Sequence, residues 1–178
     1  MDLWPLYPGN DYAALGCLFG VRNWPGWEPI AAGRGLPEDV SDAVRTEYEK
    51  TARLGEAIHG STWVSWPELR DLDMTVTPRA RGVLEVSPRP HGPRWQYRVD
   101  DQWPDDVVTA YGRPPLGSSP IDAPYGTWQQ EATSFEYRQL SRQDVLGPGT
   151  GWEHVVAVMR ALAHRFGEDG VRLVAWFD

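Results

Sequence analysis

His59 stands two residues before Ser61 in the run His59-Gly60-Ser61-Thr62-Trp63, the best local candidate for a site because it sets an imidazole close to a hydroxyl. An imidazole exchanges protons near neutral pH, and a serine hydroxyl becomes a nucleophile beside an oriented base. Arg22 and Asn23 form a second polar pair, following the apolar run that ends at Val21. A guanidinium there could grip a phosphate or carboxylate through parallel N–H donors. With Trp63 as a stacking surface, Arg22, Asn23, His59 and Ser61 make the candidate ligand-binding set, and His59 with Ser61 the candidate catalytic pair. The spacing supplies neither an acid to orient the imidazole nor donors for an oxyanion. On the plainer reading each residue acts locally, so that His59 bonds to nearby backbone, Ser61 steadies a turn, and Arg22 closes a helix against a carboxylate.

Other reaction classes find less support. Glu56 and His59 lie one helical turn apart, but no neighbouring His, Cys or acidic cluster completes a metal site. His91 falls in a turn, and His154 and His164 are ten residues apart. The glycines form neither a phosphate loop nor a dinucleotide fingerprint, and no nucleophile elbow or zinc-finger spacing occurs. No metal or cofactor is therefore expected.

The elements that must position these residues begin with the clearest, at 150–177. Thr150 and Glu153 have capping-box spacing. Val155, Met159, Leu162 and Phe166 follow as an apolar stripe at helical intervals, and Gly167 can end the helix in a left-handed cap. Val171 to Phe177 then reads as a buried strand. Upstream, Asn10 or Asp11 can cap a short helix packed through Tyr12, Leu15, Leu18 and Phe19, and Ser41 can cap another reaching about Leu54. Ser65, Pro67 and Glu68 mark a third helix, to about Leu72. In the loop-rich middle, 83–86 and 94–99 read as strands separated by Pro88 to Pro93, and 135–140 as another, with loops at 112–126 and 141–149.

Length and charge bound the rest. At 178 residues and 20.1 kDa the chain suits one domain with its own core. Its 17 basic and 25 acidic residues leave a net charge of -8, which opposes broad nucleic-acid binding or attraction to an anionic membrane. Cys17 is the only cysteine, so no internal disulfide can form. No run approaches the roughly 18 apolar residues needed to span a bilayer, and no basic leader precedes one, so a soluble cytoplasmic protein is expected. Ten tryptophans are an unusual number, and a few exposed in one groove would suit a binding surface.

Asp11-Tyr12 before an apolar run, Gly20-Val21-Arg22-Asn23, Gly35-Leu36-Pro37-Glu38-Asp39-Val40-Ser41, His59-Gly60-Ser61-Thr62-Trp63, Glu68-Leu69 and the ending Val171 to Asp178 resemble an uncharacterised family of small proteins of bacteria and their phages. The resemblance covers both ends better than the middle. It implies no catalytic residue, but it makes Arg22, Asn23, His59 and Ser61 worth reading as one surface site.

The expected fold is α+β: one compact domain, residues 1–178, with an irregular N-terminal arm, a small mixed sheet, three or four helices and a buried C-terminal strand. The expected function is noncatalytic: binding a protein partner through an acidic, tryptophan-containing surface. A small enzyme or ligand-binding protein acting on a phosphate-containing molecule is the alternative.

Overall fold

Asp11 opens the first helix, α1 (Tyr12–Phe19), by accepting the Ala14 amide at 3.2 Å, one of the amides that have no partner within a helix. Gly20 closes it at φ 76 and ψ 10, donating to the Gly16 carbonyl at 3.0 Å from a left-handed conformation that a Cβ would disfavour. The computed structural model that shows this describes residues 6, 11–23, 25–53, 60–79, 81–86, 94–96, 109, 126–130 and 133–177. The expected N-terminal arm, all but Leu6, lies outside them, as do His59, His91, residues 97–99 and residues 112–125. Leu18 and Phe19 are buried as expected, together with Ala14, Gly16 and Cys17, whereas Leu15 is half-buried and Tyr12 is exposed.

Contacts gather the chain into two compact units, one of Met1–Val21, Pro29–Leu72 and His154–Asp178, the other of Arg22–Glu28 and Asp73–Glu153. In the first unit, β1 (Gly60–Ser65) pairs antiparallel with β6 (Arg172–Phe177), from Gly60 opposite Phe177 to Ser65 opposite Arg172. Alternation then fixes the faces. Thr62 and Val64 are buried on the side shared with Leu173, Ala175 and Phe177, where the Phe177 ring meets Phe19 of α1 at 5.8 Å. Ser61, Trp63 and Ser65 lie on the opposite side with Arg172, Val174 and Trp176. There Trp176 meets Tyr48 edge-on at 6.0 Å, from α2 (Asp42–Arg53), a helix with no fully buried residue. Strand β6 is half-buried along its whole length, rather than covered on both faces, and Val171 just before it is buried.

Two further helices belong to the first unit, the second of them from His154 onward. In α3 (Trp66–Arg70) the expected capping box is present: Glu68 accepts the Ser65 amide at 2.9 Å and donates its own amide to the Ser65 hydroxyl at 3.4 Å. Trp66 and Leu69 are buried. The long helix α5 (Trp152–Phe166) starts later than the Thr150–Glu153 spacing implies. Gly149 and Gly151, both at positive φ, bend the chain so that Glu153 accepts their amides at 3.2 and 2.8 Å, while Thr150 accepts the Trp152 amide at 3.2 Å. The apolar stripe also differs. Val155, Met159 and Ala163 are buried, whereas Leu162 is 41% and Phe166 66% exposed. Leu162 precedes Ala163 by one residue, a rotation of about 100° that takes it to the rim, and Phe166 lies one turn beyond the last buried position. Gly167 ends the helix at φ 90, but its ψ of 149 sends the chain out extended instead of forming a left-handed cap.

The second unit holds a four-stranded antiparallel sheet in the order β3-β2-β5-β4, from β2 (Arg81–Val86), β3 (Arg94–Gln96), β4 (Gly126–Gln130) and β5 (Thr133–Gln139). The strands expected near 83 and 94 pair with Glu85 opposite Arg94. Strand β4 is additional to the expected strands, its Thr127-Trp128-Gln129-Gln130 being too polar to stand out from the preceding loop. Helix α4 (Arg142–Leu146) replaces part of the expected loop at 141–149. Asp144 accepts the Ser141 amide at 2.9 Å, and the Arg142 and Gln143 amides reach the Val76 and Met74 carbonyls at 3.0 and 2.9 Å.

The class is α+β, as expected. The one mixed sheet is corrected to two sheets in which every described pairing is antiparallel, and at least five α-helices occur among the described residues where three or four were expected. Gln130 faces Thr133, so only two residues join β4 to β5. That is enough for antiparallel neighbours, where a parallel pair needs a crossover of a dozen or more. Among the described residues no helix is long and apolar enough to cross a membrane.

Candidate functional site

Of the residues singled out in the sequence, Asn23 has the clearest assignment. Its side-chain amide donates to the Trp27 carbonyl at 2.7 Å and accepts the Trp27 amide at 2.8 Å, closing a turn that seats the Trp27 ring at 3% exposure. Both ends of the amide are used, so Asn23 is a turn residue. Arg22, beside it, is exposed at φ 44. These two belong to the second unit, whereas Ser61 and Trp63 belong to the first. Ser61 and Trp63 share one face of β1, and the Ser61 carbonyl accepts the Gly35 amide at 3.0 Å. His59 lies outside the described residues.

The side chains that converge in the first unit do so on Trp63. The Arg34 and Arg172 guanidinium carbons each stand 5.0 Å from its ring centroid, within reach of the negative face of the indole. Arg34 reaches Trp63 because the loop before α2 runs along the open edge of β1. There the buried Thr62 hydroxyl donates to the Ala31 carbonyl and accepts the Arg34 amide at 3.3 Å. Arg172 reaches it from β6, where it sits opposite Ser65, two residues along from Trp63.

Each arginine is tied to a carboxylate. Glu68 grips Arg34 with both oxygens, at 2.7 and 3.0 Å, and also accepts the Ser65 amide and hydroxyl at 2.9 and 2.7 Å. The hydrogen bonds from Arg34 are the chief reason the Glu68 carboxyl is held at about 2, below its ordinary 4.5. Partial burial opposes the shift and Ser65 assists it. Asp39 pairs with Arg172, whose hydrogen bond lowers the Asp39 pKa and raises that of Arg172. A chain of contacts thus runs Asp39, Arg172, Trp63, Arg34, Glu68, Ser65.

This arrangement suits recognition. It presents an aromatic ring and fixed cations, and its carboxylates stay ionised at neutral pH, which leaves them poor proton donors there. Among the described residues no group of three or more His, Cys, Asp or Glu side chains is placed to hold a metal ion. Sequence reasoning missed Arg34, Asp39, Glu68 and Arg172 as members of a site. Glu68 was visible as a capping residue, but the contact from Arg34 spans 34 positions and that from Arg172 to Asp39 spans 133, beyond any local pattern. No protein-family model, curated protein or solved structure matches the chain.

Proposed function

We propose that this chain is a noncatalytic protein-binding module whose contact surface is the Trp63 face of β1 and β6. The observation that carries this reading is the pair of guanidiniums, each 5.0 Å from the half-buried Trp63 ring and each fixed by a carboxylate. Tryptophan, tyrosine and arginine dominate the binding energy of protein interfaces, and side chains immobilised beforehand lose little freedom on association. Trp176 and Tyr48 extend the same face with further half-buried aromatic surface. The net charge of -8 supplies a long-range field that selects among partners and weakens with salt.

The test is comparative capture. The intact chain and a Trp63→Ala variant, shown by circular dichroism to be equally folded, are used as bait, and retained complexes are sized by gel filtration at low and high salt. A partner held by the intact chain, released by salt and lost with Trp63→Ala is the expected result. A partner retained equally by both would move the contact surface elsewhere on the molecule, and no selective, salt-dependent association would end the proposal.

A further inference from the structure

The two arginines on Trp63 are not equivalent. Both terminal nitrogens of Arg34 are saturated: one donates to the Trp63 carbonyl at 3.3 Å and Glu68 at 3.0 Å, the other to the Ile30 carbonyl at 3.0 Å and Glu68 at 2.7 Å. Arg172 donates only through Nη1, to Asp39, and among the described residues its Nε and Nη2 have no hydrogen-bond partner. Its one acceptor is more exposed than that of Arg34. The Asp39 side chain is 69% exposed and stands in the turn before α2, whereas Glu68 is anchored by the Ser65 amide and hydroxyl as well. An exposed ion pair of this kind contributes little to stability, so exchanging one carboxylate for another barely affects the fold.

Given the reading of this face as a binding surface, we infer that Asp39 holds the place of a partner's carboxylate: Arg172, positioned by Trp63, takes an acidic side chain of a partner peptide in exchange for Asp39. Freed of Asp39, the guanidinium can turn to meet a planar carboxylate through two parallel hydrogen bonds, where Asp39 now engages a single donor. The charge balance selects a single carboxylate over a phosphate. Glu68 and Asp39 already balance Arg34 and Arg172, so a monoanion replacing Asp39 restores neutrality, while a doubly charged group would leave an excess beside Glu68. Arg34 cannot serve in the same way, because each of its terminal nitrogens already has two acceptors.

The experiment follows the Arg172 Nε–H signal by nitrogen-15 NMR, assigned through its loss in Arg172→Lys, at constant ionic strength. The probes are the capped peptide Ala-Glu-Ala, its Ala-Gln-Ala counterpart and inorganic phosphate. The glutamate peptide is expected to move the signal saturably and the glutamine peptide to leave it in place. Asp39→Asn should tighten the glutamate peptide at least about threefold, because a site occupied by its own side chain binds in proportion to the fraction left open. The inference is overturned if the signal does not move, if the glutamine peptide moves it equally, if phosphate binds more tightly than the glutamate peptide, or if Asp39→Asn leaves the affinity unchanged. The capture assay with Trp63→Ala reports separately. A partner lost in that variant while Arg172 ignores the glutamate peptide keeps the binding face and removes the exchange, and the opposite pair of results does the reverse.

Discussion

Glu68 gathers four hydrogen bonds on one carboxylate, two from Arg34 and one each from the Ser65 amide and the Ser65 hydroxyl. Its pKa is about 2 in the folded chain against an ordinary 4.5, so the folded state takes up the proton less readily than the unfolded one. The resulting stability is full above pH 4.5 and is lost as pH falls through about 2. Urea unfolding across that window should show a shallower decline for Glu68→Gln than for the parent chain. At neutral pH the same variant should lose about 1 kcal/mol, as expected for a weakened cap and a partly exposed ion pair. Thr62, 1% exposed, is the other decisive polar residue. Thr62→Val keeps the volume but strands the Ala31 carbonyl and the Arg34 amide, and should cost about 1–3 kcal/mol by the same measurement. The Ser65–Glu68 cap could be read from the sequence because its members are three residues apart. Arg34 and Arg172 could not, because only folding brings them to Trp63.

At the scale of elements, caps and periodicity announce most helices and strands, while the choice of inward face often stays hidden. Helix α5 makes the point. Met159 and Leu162 stand equally well in the apolar stripe that the sequence suggests, yet Met159 is 2% and Leu162 41% exposed. Met159→Ala should therefore cost about 2–5 kcal/mol, and Leu162→Ala under about 1 kcal/mol, in thermal or urea unfolding. The inward line runs through Ala163, a residue too small for its burial to be read from hydrophobicity. In α1 the closing residue Gly20 ends the helix through its φ of 76. Gly20→Ala should lower stability by about 1–2 kcal/mol, chiefly through that backbone conformation. Helix α4 is hidden because five residues are too few to show a period.

For the molecule as a whole, the first unit is assembled from three separated stretches of chain, and β1 with β6 is the seam that joins the second to the third. The β6 strand is marked in the sequence, but the pairing of Gly60 with Phe177 depends on a contact between distant segments that no local signal encodes. Hydrogen exchange should find the amides that bond β1 to β6 opening together and more slowly than those of α2, whose residues are at most half-buried. The seam has another consequence. A backbone nick within Asp73–Glu153 would leave β1 on one piece and β6 on the other, still laced by their shared ladder. Two fragments divided within that stretch and mixed should therefore reassociate through the β1–β6 ladder, and gel filtration of the mixture against each fragment alone checks it.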